Sequence, residues 1–220
     1  MSIPTPSSST PSSAEGRKYY EERWQSEPVA NLWAMARAAE ILREVAKVGL
    51  KTPRCLDMGC GTGWLTAILS QFGEACGVDL APAAARSFHP ELSFFNVGDA
   101  IPGKFDIVVS QEVLEHVEDQ QGYIDLIAQT LKPEGALVLT TPNAKVSLRD
   151  PQQFVTQPVE KHLTRKELQS LLESRFEVTR LRSFFFGYAH GIPYRIQMRF
   201  GERLDAGLHF IAVCRPRRLN

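Results

Sequence analysis

The feature that most constrains the fold is a short apolar run followed by an acidic residue and three alternating glycines. Residues 54–64 read RCLDMGCGTGW, in which Asp57 precedes Gly59, Gly61 and Gly63. Glycine adopts positive φ without steric cost, so this loop can turn sharply from strand to helix and leave its backbone open to a ligand. Dinucleotide-binding loops are spaced G-x-G-x-x-G. Here the third glycine comes one residue too early for that spacing.

Strand-like and helical patterns alternate after this loop. Alternation of this kind predicts a parallel, doubly wound, Rossmann-like sheet with helices on both faces. The predicted strands are 54–58, 74–78, 92–97, 105–110 and 136–141, and the predicted helices between them are 63–71, 82–88 and 120–131.

Further elements flank the alternating region. Apolar residues recur at three- and four-residue steps over 28–50, which predicts an amphipathic helix that covers the sheet edge or caps a ligand. Thr164 and Glu167 form a capping-box pattern at the start of another helix. Two final strands are predicted at 176–181 and 208–214.

The chain is expected to form one domain. Its 220 residues, 43% of them hydrophobic, are enough to bury a core. Residues 1–16 are rich in Ser, Pro and Thr, which predicts a disordered tail before a domain over 17–220. Within that domain, 17–50 is predicted to form a helical cap and the aromatic-rich segment 183–207 a lid over the substrate.

Composition argues against several classes of protein. The sequence contains neither a secretory leader nor about 18 uninterrupted apolar residues, so we expect a cytoplasmic protein without a membrane span. Its four cysteines have no zinc-site spacing and are expected to be buried thiols. Zero net charge argues against a nucleic-acid partner. Residues 161–220 hold 12 basic against 5 acidic residues, which suits either an anionic substrate or a solvated face.

Acidic residues follow three successive predicted strands. Asp57, Asp79 and Asp99 each lie where such a strand ends, and ligands of open α/β sheets bind in the crevice at those carboxyl ends. A carboxylate at Asp79 can accept hydrogen bonds from two ribose hydroxyls. One acid of this kind is common at turns, but three in register with a glycine loop predict a shaped ligand site.

Over residues 28–182 these motifs resemble the class I S-adenosylmethionine-dependent methyltransferases, and most of all the small-molecule O-methyltransferases of ubiquinone biosynthesis. The resemblance implies a mostly parallel seven-stranded sheet with an antiparallel C-terminal strand in a three-layer α/β/α fold. It implies S-adenosylmethionine as the cofactor. It also implies in-line methyl transfer to a small molecule, with an oxygen nucleophile as the favoured acceptor.

The resemblance assigns individual cofactor contacts. Asp57 would bind the methionyl amino group, Asp79 the ribose and Asp99 the adenine amine, while the backbone amide of Ala100 reads the ring. Tyr20 matches a segment that closes over the cofactor in related enzymes and would reach the methionine carboxylate, or it packs as a helix staple. The other implied contacts are Gly59, Cys60, Gly61, Gly63, Leu80 and Gln111.

Deprotonation of the acceptor has two candidate explanations. Glu112, Glu115 and His116 can share one face of a helical turn, and this set suits Mg²⁺ or another divalent ion that would lower the pKa of a bound hydroxyl. Without a metal, the acids and the imidazole satisfy one another or cap the helix, and His162 or His116 acts as general base.

Two other functions stay open. A metal-dependent RNA 2′-O-methyltransferase has a similar Glu112, Glu115 and His116 pattern and adds a downstream histidine, for which His162 is the candidate. A non-catalytic scaffold would keep the cofactor acids and bind the cofactor only structurally. The apolar segment 183–200 is also compatible with a homodimer contact.

Overall fold

The computed structural model describes residues 11–26, 30–147, 157–184 and 205–217, and the fold is described for these ranges. Two helices come first, α1 (Pro11–Ser26) and α2 (Leu32–Val48). The alternating region consists of β1 (Cys55–Met58), α3 (Trp64–Leu69), β2 (Ala75–Asp79), α4 (Ala83–Phe88), β3 (Ser93–Asn96), β4 (Phe105–Gln111), α5 (Gln120–Thr130) and β5 (Leu131–Pro142). The last elements are α6 (Ala144–Ser147), α7 (Arg165–Glu173), β6 (Phe176–Phe184) and β7 (His209–Pro216).

The strands form one seven-stranded sheet in the order β3-β2-β1-β4-β5-β7-β6. Strands β1 to β5 are parallel, whereas β7 runs antiparallel to both β5 and β6. The strand order reverses between β1 and β4, so the loops after these two strands diverge and open a crevice at the carboxyl edge. The predicted fold class is confirmed.

Alternate side chains of the sheet enter two apolar layers. Leu56 and Val108 pack in the layer that contains α5 and α7, while Cys55 and Ile107 pack in the layer that contains α2 and α3. This alternation follows from the two-residue period of a strand. All four cysteines are buried free thiols, as predicted.

Two helix ends follow directly from local chemistry. The Thr164 side chain accepts from the backbone N–H of Glu167 while the Glu167 carboxylate accepts from the backbone N–H of Thr164, so the predicted capping box starts α7. Gly49 adopts φ 77° and ends α2 in the left-handed conformation that glycine tolerates best.

Strand β5 begins earlier than the predicted 136–141 segment. Leu131 pairs with Phe105, the register then shifts, and regular pairing resumes between Ala136 and Ile107. The polar residues 132–135 occupy this irregularity, so the alternating pattern that would reveal the strand is interrupted there.

The predicted disordered tail ended at Gly16, whereas α1 begins at Pro11. Proline suits a first helical turn because its missing N–H has no partner there in any case. Gly16 is buried, and a Cβ on it would lie 4.0 Å from Leu80, so this helix packs beside the loop after β2. Residues 1–10 and most of the predicted lid lie outside the described ranges.

No helix in those ranges combines the length and apolarity that crossing a membrane requires.

Candidate functional site

The glycine loop after β1 has the backbone conformation that its sequence predicts. Gly59, Gly61 and Gly63 all have positive φ, at 80°, 54° and 81°. A Cβ on Gly59 would lie 2.2 Å from the side chain of Val113. The loop is therefore a position where only glycine fits both the backbone and its neighbours.

Asp57 is a buried carboxylate beneath this loop. It lies in β1, is 2% exposed, and its Oδ2 accepts a hydrogen bond of 2.7 Å from the Thr66 hydroxyl. Burial raises its pKa to about 7, although the Thr66 hydrogen bond opposes the rise. A cationic ligand group beside Asp57 would favour its ionised form, so the carboxylate suits an ammonium group.

Asp79 ends β2 and ties two loops together. Its carboxylate accepts hydrogen bonds from the backbone N–H of Gly61 (2.8 Å) and of Ala81 (2.9 Å). Burial raises its pKa, whereas the Ala81 and Gly61 amides and the Trp24 indole act against the rise. The Trp24 N–H faces the carboxylate with a geometry short of a hydrogen bond.

Asp99 lies three residues after β3, at the same sheet edge. Its Oδ2 accepts from the backbone N–H (2.7 Å) and from the side chain (2.9 Å) of Asn96. These bonds hold the pKa of Asp99 below its ordinary value. Asn96 pairs with Asp79 in the sheet, so the parallel strands bring the acids of β2 and β3 side by side. Leu80 is partly exposed and Ala100 is exposed beside them.

Cys60 and Gln111 contribute differently from what their neighbours do. The Cys60 side chain packs into a small apolar cluster with Ala85 and Phe94, so only its backbone faces the loop surface. Gln111 ends β4 and donates from Nε2 to the Ala34 carbonyl of α2 at 3.1 Å. Its Oε1 is buried without a hydrogen-bond partner.

Tyr20 is engaged by another part of the protein. Its hydroxyl donates to Gln157 Oε1 at 2.8 Å, and its ring stacks on Trp24 with centroids 5.7 Å apart. Burial raises its pKa. In this structure the predicted contact with a methionine carboxylate is replaced by the contact with Gln157.

The structure does not assemble the predicted metal ligands. Glu112 has φ 55°, and its Oε2 lies 2.8 Å from Nδ1 of His209 and 4.0 Å from Nε of Arg37. Glu115 is directed elsewhere, where its carboxylate accepts from the Thr141 hydroxyl at 2.9 Å. Among the residues with described positions, no three His, Cys, Asp or Glu side chains are placed to hold a metal ion. The present side chains therefore do not fit a divalent ion.

The two neighbouring glutamates differ in charge state. Burial opposes ionisation of both. His209 and Arg37 nevertheless hold the pKa of Glu112 well below its ordinary value, while the Glu112 charge adds to burial and raises the pKa of Glu115 well above its own. One carboxylate of this pair is ionised and the other protonated at neutral pH.

Both predicted bases form hydrogen bonds within the protein. His116 has Nδ1 2.9 Å from the Val159 carbonyl and Nε2 2.7 Å from Gln157 Nε2. Since a carbonyl only accepts and an amide nitrogen only donates, the proton is on Nδ1 and Nε2 is the acceptor. His162 Nδ1 shares a 2.7 Å hydrogen bond with Ser147 Oγ. Burial lowers the pKa of both histidines.

The sequence analysis missed three residues beside the crevice. His209 and Arg37 meet Glu112 from distant parts of the chain, and no local pattern links them. Trp24 was detectable, since it lies four residues after Tyr20 and therefore on the same helix face.

Comparison with known proteins places these features in a family. A family model described as a methyltransferase domain matches residues 31–181, which is more than half of the chain. The ubiquinone biosynthesis O-methyltransferase of Xanthomonas campestris pv. campestris (strain B100) is 36% identical over 111 residues, covering 44% of this chain and 46% of that protein. The Psychrobacter arcticus protein of the same name is 32% identical over 130 residues, covering 51% and 48%. The chain thus spans about half the length of these curated relatives.

Solved structures match over most of the chain. N-methyltransferase NodS from Bradyrhizobium japonicum, in complex with S-adenosyl-L-homocysteine, superposes with a TM-score of 0.62 at 17% identity, covering 90% of this chain and 99% of that one. The PH0226 protein of Pyrococcus horikoshii gives a TM-score of 0.66 at 15% identity, covering 89% and 99%. At these identities the likeness establishes a shared fold.

Proposed function

Because this chain belongs to the class I S-adenosylmethionine-dependent methyltransferases, we propose that it transfers the methyl group of S-adenosylmethionine to an oxygen atom of a small molecule. The observation that carries the proposal is the set of three acids, Asp57, Asp79 and Asp99, around a positive-φ glycine loop at one edge of the sheet. The choice of oxygen follows the relatives named for ubiquinone biosynthesis.

Each acid has an assigned role in holding the cofactor. Asp57 would bind the methionyl amino group, Asp79 the ribose hydroxyls and Asp99 the adenine amine. The close-approach glycines let the ligand lie against the backbone of residues 59–63. When bound, the cofactor supplies an electrophilic methyl group on a sulphonium. The protein's main contribution is to hold the acceptor oxygen in line behind that methyl group.

Removal of the acceptor proton is assigned to a histidine. His116 is the first candidate because its Nε2 carries a free electron pair and accepts only the Gln157 amide in this structure. His162 is the second candidate, and its hydrogen bond to Ser147 would orient the ring. No step is routed through a metal, since Glu112 and Glu115 are held by His209 and Thr141.

The other expectations from the sequence stay predictions. They are an anionic acceptor, a cytoplasmic location and a homodimer. RNA 2′-O-methylation is the less favoured alternative because the net charge is zero and RNA binding depends on basic surface. A non-catalytic scaffold would bind the cofactor without turnover.

A ligand panel tests the proposed function. S-adenosylhomocysteine is expected to raise the melting temperature in proportion to its affinity, whereas NAD, NADP and Mg²⁺ leave it unchanged. Transfer of labelled methyl from S-adenosylmethionine to a panel of phenols, sugars and fatty acids then identifies the acceptor class. A shift with NAD and none with S-adenosylhomocysteine would contradict the proposal.

The affinity for S-adenosylhomocysteine is expected to depend on pH through Asp57. The free carboxyl has a pKa of about 7, and a bound ammonium group lowers it, so binding releases a proton at low pH. Affinity should be constant at higher pH and fall below pH 7, by up to about tenfold per pH unit. Calorimetry between pH 5.5 and 8.5 measures this. Asp57→Asn should bind weakly with no such slope, and an unchanged slope in that variant would reject the assignment.

A further inference from the structure

Helix α1 places an aromatic pair over the cofactor side of the crevice. The six-membered ring of Trp24 comes within 3.2 Å of the position a Cβ on Gly61 would take, so the indole lies directly on the glycine loop. Its buried N–H faces Asp79 without a hydrogen-bond partner. Tyr20 stacks on Trp24 and lies close enough to Asp79 and Glu115 for both charges to raise its pKa.

A chain of hydrogen bonds fastens this helix across the crevice. The Tyr20 hydroxyl donates to Gln157 Oε1, Gln157 Nε2 donates to His116 Nε2, and His116 Nδ1 donates to the Val159 carbonyl. The segment around residue 159 is itself held to the turn after β4, because the Lys161 N–H donates to the Glu115 carbonyl at 2.7 Å. The pair therefore reaches from the β2 side to the β4 side.

The ribose acid is covered in this arrangement. Asp79 is 7% exposed, and its two oxygens already accept from the Gly61 and Ala81 amides. A ribose must approach this carboxylate from the side on which Trp24 lies. The closed helix and a bound ribose thus compete for the same surface of Asp79.

We propose that α1 is an autoinhibitory strap, in which Trp24 occupies the ribose side of the empty cofactor site and the Tyr20–Gln157 bond holds it there. The proposal rests on the proposed function, since it takes the crevice to be the S-adenosylmethionine site. Binding then requires α1 to release Asp79, and the measured affinity is the intrinsic affinity reduced by the fraction of open molecules. The same movement frees Nε2 of His116 from Gln157.

A strap of this kind and an ordinary wall of the binding site differ in the sign of a mutation. If Trp24 were a wall that contacts the bound cofactor, its removal would weaken binding. If it covers the empty site, its removal makes binding tighter and faster, because no closed state has to open first.

The test measures S-adenosylhomocysteine binding to the full chain by stopped-flow and calorimetry. Trp24→Ala is expected to bind about tenfold more tightly, which corresponds to a site that is about nine-tenths closed in the parent protein. Tyr20→Phe removes only the fastening hydroxyl and should speed association by severalfold. Tyr19→Phe is the matched control, since it removes the same group from the adjacent residue, and it should behave like the parent.

Three outcomes decide the matter. Tighter, faster binding by Trp24→Ala with an unchanged Tyr19→Phe supports the strap. Weaker binding by both Trp24→Ala and Tyr20→Phe overturns it while leaving the proposed function intact. Absence of S-adenosylhomocysteine binding in the parent and in every variant contradicts the proposed function and the strap together. Should Trp24→Ala fail to fold, the association rate of Tyr20→Phe decides alone.

Discussion

Asp79→Ala is expected to weaken S-adenosylhomocysteine binding by about ten- to a hundredfold, or roughly 1.5–3 kcal/mol for lost charge-assisted hydrogen bonds. The carboxylate both receives the ribose hydroxyls in our proposal and holds the loop through the Gly61 amide at 2.8 Å. Its loss therefore removes a ligand contact and loosens the glycine loop. Isothermal calorimetry on the purified variant gives the affinity directly.

The matched control is Asp106→Ala. Asp106 lies near the start of β4, at the opposite edge of the sheet, where it accepts from the Arg54 backbone N–H and from Lys132. This variant loses a carboxylate of the same kind with comparable local bonding, so its stability falls while its affinity should match the parent protein. Equal affinities for all three proteins would remove Asp79 from the cofactor site.

Arg182→Met is expected to lower the free energy of unfolding by about 3 kcal/mol, because it leaves buried carboxylates without their strongest partner. Arg182 is 7% exposed in β6 and pairs with Glu40 and, at 3.7 Å, with Glu44 of α2. These two glutamates are 8% and 3% exposed, so their desolvation is offset mainly by this guanidinium. Urea denaturation followed by circular dichroism measures the change.

Arg180→Met provides the control for that experiment. Arg180 lies two residues earlier in β6 and pairs with Glu44 at 3.3 Å, but about half of its side chain is exposed. Exposed pairs contribute about 0–1 kcal/mol, so this variant should stay close to the parent. The double variant Glu40→Leu with Arg182→Met should recover most of the lost stability, since buried apolar pairs replace ion pairs at little cost. A parent-like Arg182→Met protein would show that the network stabilises nothing.

This network matters for the site because α2 carries groups that reach the crevice. Arg37 extends from α2 toward Glu112, and the Ala34 carbonyl holds Gln111. The buried ion pairs join the same helix to β6, beside the antiparallel β7 that supplies His209. The helix is thus positioned both by its apolar face on the sheet and by charges.

Much of the site geometry was accessible from local sequence. The glycine loop, the acids after successive strands and the Thr164–Glu167 capping box are short-range patterns whose conformations follow from the residues themselves. Because parallel strands end at one edge, the acids then meet without further information. The start of β5 escaped, since its register shift lies within polar residues that hide the alternation.

The interpretation of Glu112, Glu115 and His116 as a shared metal site failed for a structural reason. Their spacing fits one face of a continuous helix, but the chain leaves β4 through a positive φ at Glu112 before a single 3-10 turn over Leu114–His116. The first carboxylate is thereby turned toward His209 and the second toward Thr141. Spacing in sequence does not determine direction where the backbone changes conformation between the residues.

The sequence by itself determined the parallel sheet, the ligand loop and the acids of the cofactor site, because each depends on periodicity, glycine conformations or strand ends that are local in the chain. Only the tertiary structure decided which side chains meet across long separations: Trp24 on Asp79, Tyr20 with Gln157, and His209 with Glu112. Those contacts depend on how whole elements pack, and packing is set by the combined burial of many residues and not by any one pattern.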